Sequence, residues 1–441
     1  MRKLFIALLA SVVLLSGCEG LFGKESGQRG ALPGKRVDVF SAERALKVDA
    51  SIPATPIDMP AQNDVKDWGQ AGGSATRNHG NIALSSTPSD AWSVSIGSGS
   101  SSDGALTAVP IIVNGKIYTV DAAARVSAYS TQNGDKIWEK RVPEQAPEDA
   151  TIAGAGLAYD QGRLVVTTSY GFVVQLDAST GKQIWQRNLQ APIRSAPVIA
   201  DGKIFVTSMN NTVQEMSFSD GSLGWNHAGI QESASFLGAA SPSITEDLVI
   251  VPYSSGEIFG LRRINGRMAW QENLASTKRV GTLPAMADIQ GQLVMYDNRV
   301  HVISHSGRFV ALDMRSGKRV WEADAGSIQT PWFAGDTIYL VTTENQLAAL
   351  SAQDGHVRWT ADLPRYIDPE NRTEQIAWVG PVLAGGKLWL GNSLGEFNSY
   401  NPANGKLITT RSFSSPIYLP PIVAGRTMYV LSDDGRLTAM R

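Results

Sequence analysis

The sequence predicts an all-β fold, namely an eight-bladed β-propeller of four-stranded antiparallel blades. Two observations carry this prediction. Glycine accounts for 43 of the 441 residues, whereas about 7% is usual, and such a surplus indicates many turns between short strands. In addition, one short motif recurs along most of the chain with a period of about 45 residues, which is the length that a four-stranded propeller blade requires.

The recurring motif is a glycine followed four positions later by a tryptophan. Six copies have this spacing, and their glycines lie between 38 and 51 residues apart; the copies are Gly134 and Trp138, Gly181 and Trp185, Gly221 and Trp225, Gly266 and Trp270, Gly317 and Trp321, and Gly355 and Trp359. A seventh copy at Gly405 has Thr409 in place of tryptophan. The constant offset from a turn glycine favours packing between neighbouring blades over stacking on a ligand.

Within each repeat, apolar stretches alternate with tight turns. In one unit the stretches are residues 157–159, 163–169 and 172–177, with Gly162 and Gly171 at the turns between them. Such turns need positive φ and join antiparallel strands. Runs such as Leu248 to Val251 are apolar without alternation, which indicates strands buried on both faces.

The two ends of the repeat region complement each other. The chain ends at Thr438 to Arg441, so the last unit lacks its outermost strand, whereas Ser89 to Val94 supplies a strand with Trp92 and has no preceding unit. Pairing these two strands in one blade completes a count of eight and removes the open sheet edge that invites aggregation.

The N-terminus predicts export. Arg2 and Lys3 precede an apolar run from Leu4 to Leu15, which is too short to span a bilayer and is typical of a secretion signal. The run ends in Leu-Ser-Gly-Cys18, which matches the lipobox of bacterial lipoproteins. This resemblance implies cleavage before Cys18 and acylation of that cysteine; a plain secretory signal with a chance cysteine is the alternative.

These features divide the chain into three parts. Residues 1–17 are predicted to be the lipoprotein signal peptide, residues 18–65 an acylated N-terminus and flexible tether without sustained periodicity, and residues 66–441 the propeller. Residue 19 is glutamate and not the aspartate typical of inner-membrane retention. By that resemblance the expected location is the outer membrane, with the protein lipid-anchored and facing the periplasm.

The sequence predicts neither catalysis nor a cofactor or metal site. His301 and His305 lie on one face of a predicted strand, but no third ligand is indicated near them. The segment from Gly97 to Gly104 has phosphate-loop spacing, but Ala105 stands where the lysine belongs. With 39 basic and 41 acidic residues, the chain has no electrostatic footprint for nucleic acid.

The repeat also carries a family resemblance. The cassette from Ala311 to Trp321 resembles the tryptophan-docking motif of pyrroloquinoline-quinone-type propellers. Together with the lipobox, the tether and the run Trp68-Gly-Gln-Ala-Gly-Gly73, the chain resembles the BamB family over nearly its whole length. This resemblance implies a non-enzymatic, monomeric lipoprotein of the β-barrel assembly machinery, which binds the periplasmic domains of BamA and assists the insertion of outer-membrane barrels.

The resemblance also implies a partner surface on two loops that lead into successive blades. In the family, one loop holds Leu-Arg-Gly-x-x-x-Pro and the next Asp-x-Asp. Here the first begins Phe236-Leu237-Gly238, with leucine in place of the arginine, and the second reads Ala287-Asp288-Ile289-Gln290, with one aspartate retained. We therefore predict partner contacts at Phe236, Leu237, Asp288 and Gln290. A structural role, in which Phe236 and Leu237 plug the mouth of the central channel, is the alternative.

Two other functions remain open from the residues. One is a periplasmic quinoprotein dehydrogenase, although many such enzymes use paired cysteines and this chain has a single cysteine. The other is a lipoprotein that binds different envelope components.

Overall fold

The computed structural model describes residues 45–48, 50, 56–102, 104–143, 155–193, 195–232, 238–275 and 287–441. Within these ranges the regular elements are 36 β-strands. Most of them form four-stranded antiparallel sheets, in which each strand pairs with its neighbour in the chain. The all-β propeller is therefore confirmed.

Six of these sheets follow one another directly along the chain and are numbered blades 1 to 6. The strands of blades 1 to 3 are β4 (Ile111–Val113), β5 (Lys116–Val120), β6 (Arg125–Ser130), β7 (Lys136–Arg141), β8 (Ala155–Asp160), β9 (Arg163–Thr168), β10 (Phe172–Asp177), β11 (Gln183–Asn188), β12 (Val198–Ala200), β13 (Lys203–Thr207), β14 (Thr212–Ser217) and β15 (Leu223–Ala228). The strands of blades 4 to 6 are β16 (Ser243–Ile244), β17 (Leu248–Pro252), β18 (Glu257–Arg262), β19 (Met268–Asn273), β20 (Val294–Tyr296), β21 (Arg299–Ile303), β22 (Phe309–Asp313), β23 (Arg319–Ala323), β24 (Trp332–Ala334), β25 (Thr337–Val341), β26 (Gln346–Ser351) and β27 (Val357–Asp362).

The blades stack through apolar side chains, as the uniform runs predict. Every residue of Leu248–Pro252 is buried, whereas the outermost strand of the same blade, Met268–Asn273, is mostly exposed apart from Trp270. The hydrophobic core is consequently divided into clusters between neighbouring sheets, such as the one in which Ile111 and Val126 of blade 1 meet Leu164 of blade 2. Burial on both faces explains why the two middle strands lack polar alternation.

Each tryptophan of the repeat connects its own sheet to the next one, which confirms the predicted packing role. Trp138 of blade 1 lies against Gly181 of blade 2, and its indole Nε1 donates to the carbonyl of Ala178 at 3.1 Å. Gly181 has φ of +71°, and a Cβ there would come within 2.6 Å of the indole, so only glycine fits. The same donation to the following sheet is made by Trp92, Trp185, Trp225, Trp270, Trp321 and Trp359.

The ring closes as predicted, by pairing of strands from the two ends of the propeller. Strand β3 (Asp90–Ser95) pairs antiparallel with the last strand, β36 (Arg436–Met440), so that Trp92 lies opposite Ala439. With β34 (Ile422–Ala424) and β35 (Thr427–Leu431) they form the closing blade.

The predicted count of eight four-stranded antiparallel blades is wrong. The described residues form seven such blades, namely blades 1 to 6 and the closing blade. The sheet between blade 6 and the closing blade along the chain has six strands and mixed pairing; its strands are β1 (Gln62–Asn63), β2 (Asn81–Ile82), β30 (Trp378–Ala384), β31 (Lys387–Asn392), β32 (Glu396–Tyr400) and β33 (Leu407–Ser412). A separate hairpin, β28 (Tyr366–Asp368) and β29 (Thr373–Gln375), precedes it.

The physical reason lies in residues 56–84, which we call the strap. Its strands β1 and β2 pair in parallel with each other, and Ile82 pairs with Ala384 on the innermost strand of the mixed sheet. Strand β30 would otherwise present unpaired main-chain groups, and strand addition satisfies them. The strap thus begins to pair at Gln62, inside the segment predicted as a tether.

The strap contacts almost every sheet of the ring on its way. The strap main chain is hydrogen-bonded to the closing blade at Val65, to blade 1 at Trp68, to blade 2 at Gly69, to blade 5 at Thr76, to blade 6 at Gly80 and to the mixed sheet at Ile82. Further upstream, the buried Leu46 donates its main-chain N–H to Gln346 Oε1 of blade 6 at 2.8 Å.

Candidate functional site

The two loops predicted to bind a partner lie side by side. We call residues 229–242, which connect blade 3 to blade 4, the 3–4 loop, and residues 274–293, which connect blade 4 to blade 5, the 4–5 loop. Ala240 N donates to the carbonyl of Ile289 at 3.4 Å, and Ser241 N donates to Gln292 Oε1 at 3.0 Å. Their described parts therefore form one continuous structure, although they lie about fifty residues apart in sequence.

The four predicted contact residues are placed differently. Phe236 and Leu237 lie outside the described residues. Gln290 is half-buried and lines a cavity between the loops and the strap. Asp288 is only 1% exposed, and its main-chain carbonyl accepts from His305 N at 3.0 Å. Its carboxylate is not at the surface, so in this conformation Asp288 supports the 4–5 loop from inside.

Arg77 of the strap holds both loops in place. Its guanidinium donates to Ser243 Oγ and to the carbonyls of Ser241 at 3.3 Å and Pro242 at 2.8 Å beside blade 4. It also donates to the carbonyl of Leu293 at 3.1 Å and, through Nε, to that of Ala71 at 3.4 Å. These five bonds use all five donors of the side chain. Arg77 is thus a clamp between the strap and the loops of blades 4 and 5.

The clamp is a buried cation, and none of the five atoms that accept its hydrogen bonds belongs to a carboxylate. Arg77 is 5% exposed, and its burial lowers the pKa of the guanidinium from 12.5 to about 9. The group stays charged at neutral pH, because the hydrogen bonds that it donates to neutral carbonyl and hydroxyl oxygens replace its lost hydration. No pattern in the sequence marks this residue, since its partners beside blades 4 and 5 are more than 160 positions away.

The strap and the loops enclose a cavity of about 250 Å³, which we call the well. The strap supplies Trp68, Arg77 and His79, which are all buried, while Ile328 and Tyr418 at the other side of the lining are 41% and 46% exposed. The strap side is therefore the floor of the well, and the exposed side is its mouth. Gly238, Ala239 and Gln290 of the two loops also line it.

Aromatic packing fixes the floor of the well. The imidazole of His79 stacks on Trp68 with ring centroids 4.5 Å apart, and Trp332 lies 5.8 Å from His79 on the other side. Burial lowers the pKa of His79, although its hydrogen bond with the Gly72 carbonyl acts in the opposite direction. His79 is consequently neutral at pH 7.

Exposed apolar side chains lie next to the 3–4 loop. Ile230 within the loop is 57% exposed, and Met209, in the turn between β13 and β14, is 39% exposed. The two segments are joined, because Gly229 N donates to the carbonyl of Asn211 at 2.9 Å. Neither residue was among the predicted contacts; an isoleucine after Gly229 and a methionine before Asn210 were the available signal.

Two further features noted in the sequence are the histidine pair, considered for a metal, and the glycine-rich loop, considered for a phosphate. Among the described residues, no group of three or more His, Cys, Asp or Glu side chains is arranged to hold a metal ion. In the loop that starts at Gly97, Ser98 N donates to Asp121 Oδ2 at 2.9 Å and Ser100 N to the carbonyl of Asp433 at 2.8 Å. These main-chain donors are thus engaged within the protein. In the described part of the chain, no helix is both long and apolar enough to cross a membrane.

Comparison with known proteins places the chain in a family. A family model described as outer membrane protein assembly factor BamB matches residues 125–361, which is more than half of the chain. The chain belongs to the BamB family. Its BamB relative from Yersinia pestis is 24% identical over 359 residues, a match that covers 80% of this chain and 88% of that protein. The BamB of Escherichia coli K12 is 26% identical over 355 residues, covering 79% and 88%.

Solved structures agree on the fold. The crystal structure of BamB from Moraxella catarrhalis matches with a TM-score of 0.68 at 20% identity, covering 80% of this chain and 100% of that one. Quinohemoprotein alcohol dehydrogenase from Comamonas testosteroni matches with a TM-score of 0.65 at 13% identity, covering 85% and 80%. At such identities the likeness shows the propeller fold alone. Because the BamB family consists of assembly factors, the chain is a non-enzymatic protein of outer-membrane protein assembly.

Proposed function

We propose that this BamB-family chain is a scaffold subunit of the β-barrel assembly machinery. It binds the periplasmic domains of BamA through the 3–4 and 4–5 loops and thereby assists the folding and insertion of outer-membrane barrels. Acylation of Cys18 anchors it to the outer membrane, with the propeller facing the periplasm. Cys18 lies outside the described residues, and its lipidation rests on the lipobox.

The observation that carries the proposal is the contact between the described parts of the two loops. These parts are hydrogen-bonded to each other and to Arg77 of the strap. Segments that are already held together lose less conformational entropy when a partner binds. Ile230 and Met209 beside them supply exposed apolar area, and Phe236 and Leu237 belong to the same 3–4 loop by sequence. An apolar centre with polar surroundings is the usual anatomy of a protein interface.

Aspartate substitutions in the 3–4 loop test the proposal, with co-purification of BamA from solubilised outer membranes as the measurement. Leu237→Asp and Ile230→Asp each place a charge in the proposed apolar centre, so we expect at least a tenfold loss of co-purified BamA, in the range of an interface hot spot. Asp288→Arg is unsuitable, because an unpaired cation at this buried position would destabilise the fold.

Ile264→Asp is the matched control. Ile264 lies in the turn between β18 and β19 of blade 4, outside both connecting loops, and is 88% exposed. The same substitution there is expected to leave BamA capture unchanged. If all three variants melt like the wild type and capture BamA equally well, the partner surface is elsewhere. Full-length protein that fails to associate with BamA even without substitutions would contradict the assembly role itself.

A further inference from the structure

The well has the size of a site for a small group. Cavities that bind drug-sized molecules start at about 300 Å³, so a cavity of about 250 Å³ suits a group about as large as one aromatic amino acid. It is open at the mouth, where Ile328 and Tyr418 are exposed, and closed at the floor by the strap. A ligand can therefore enter without displacing a strand.

Most of the wall of the well is apolar. Trp332, Pro381, Val382 and Ile422 line it, and Trp68 forms part of the floor. Aromatic and proline side chains of this kind are held rigidly by their neighbours; the Trp332 indole, for instance, donates to the Gly80 carbonyl at 2.8 Å. The main part of a suitable ligand is therefore apolar.

The polar side chains of the well offer donors. Gln292 Oε1 accepts from Ser241 N at 3.0 Å, and Gln329 Oε1 accepts from Gly380 N at 3.4 Å. Each main-chain N–H fixes the orientation of its amide, which leaves the Nε2 groups as hydrogen-bond donors. Within the described part of the chain, neither Nε2 group has a protein acceptor. Both side chains are half-buried, so a bound acceptor can reach them.

The charged side chains that line the well are positive only. Arg77 is the single charged residue among the described residues that line it, and none of those residues is aspartate or glutamate. The guanidinium donors are all used within the protein, so Arg77 acts on a ligand through its field alone. At short range in a poorly solvated site, a full positive charge attracts an anion substantially.

From these four features we infer that the well binds a small apolar group carrying one carboxylate. The apolar body fills the aromatic and proline-lined wall, and the carboxylate accepts from the amides of Gln292 and Gln329 in the positive field of Arg77. A free organic acid and the terminal residue of a peptide share this chemistry. The inference does not depend on the proposed binding of BamA.

Calorimetric titration of the full-length protein in detergent tests the inference. The probe is 3-phenylpropionate, and its neutral analogue 3-phenylpropionamide and acetate separate the contributions of charge and apolar body. We expect saturable binding of the acid, at least tenfold weaker binding of the amide, and no binding of acetate. The peptide Gly-Gly-Leu and its C-terminal amide, titrated in parallel, distinguish a peptide terminus from a free acid as the source of the carboxylate.

Charge substitution in the well provides the second measurement. Gln329→Glu keeps an oxygen acceptor for Gly380 N but replaces the donor with a carboxylate, so we expect at least a tenfold loss of affinity for 3-phenylpropionate. Gln292→Glu should act alike. Gln132→Glu, at an exposed turn of blade 1, is the matched control and should bind like the wild type.

Three results would each overturn the inference. They are the absence of saturable binding of 3-phenylpropionate at millimolar concentration, equal affinity for the acid and its amide, and undiminished affinity in a folded Gln329→Glu or Gln292→Glu variant. If both variants fail to fold, the comparison of acid and amide on the wild-type protein still decides. Loss of BamA binding in loop variants would leave these titrations unaffected, so the two proposals fail separately.

Discussion

Replacing Arg77 with methionine removes the clamp while keeping a side chain of similar length. Methionine leaves four main-chain carbonyls and Ser243 Oγ without their donor, next to the loops of blades 4 and 5. The change in the free energy of unfolding depends on two opposing contributions. The lost hydrogen bonds destabilise the variant, whereas removal of the buried guanidinium charge stabilises it.

Both terms follow from the contacts of Arg77. Hydrogen bonds to a charged group contribute about 1.5 kcal/mol each at the low end, so five bonds contribute roughly 7 to 8 kcal/mol. The fall of the guanidinium pKa from 12.5 to about 9 corresponds to a burial cost of about 5 kcal/mol, at 1.36 kcal/mol for each pKa unit. Unfolding of Arg77→Met is therefore expected to need about 3 kcal/mol less free energy than unfolding of the wild type.

Thermal unfolding and hydrogen exchange measure this effect. For a chain of this length we expect the Tm to fall by about 3 °C, with faster amide exchange confined to residues 238–243 and 287–293. Arg77→Lys should lie between the two proteins, because an ammonium has three donors for five acceptors. Arg125→Met, at an exposed position at the start of β6, controls for the substitution itself. An unchanged Tm together with unchanged exchange in both segments would refute the clamp, because segments that lose their bonds to Arg77 should open more often.

Three further predictions concern pH, closure and anchoring. Burial among aromatic rings lowers the pKa of His301 to about 3; since the unfolded chain takes up this proton near pH 6.5, stability should fall by about 2 kcal/mol between pH 7 and pH 5. His301→Phe should weaken that dependence in thermal melts. Deleting residues 438–441 removes the pairing of β36 with β3 and should lower the Tm more than deleting residues 19–60; equal melting would argue against closure. Cys18→Ala should give folded protein that no longer fractionates with the outer membrane, and unchanged precursor processing under globomycin would contradict acylation.

The propeller was predictable because its contacts repeat. Each tryptophan meets a glycine of the next sheet at a fixed place in the period, so one motif encodes the packing between neighbours; Trp138 and Gly181 are one instance. Closure was predictable for the same reason, since a missing strand at one end matched a surplus strand at the other. The count of four-stranded blades failed where the chain departs from the period.

The strap has no such regularity. Its two strands contain two residues each and pair in parallel with each other and, through β2, with the distant β30, so neither length nor alternation marks them in sequence. The same limit applies to the site. The repeat register brought the 3–4 and 4–5 loops together, but it gave no information on the burial of Asp288, because alternation does not extend into loops. The partners of Arg77 could not be predicted either, because only the complete fold brings them near this residue.

The contact of Leu46 changes how an anchor at Cys18 would act on the ring. A tether running to residue 65 would leave the propeller free over the whole of that length. Because Leu46 is buried against blade 6 and bonded to Gln346, 27 residues separate Cys18, the proposed site of acylation, from this contact. A chain of that length spans no more than about 95 Å when fully extended. An anchor at Cys18 would thus be linked through Leu46 to blade 6 and, through Arg77 further along the same chain, to the loops proposed to bind BamA.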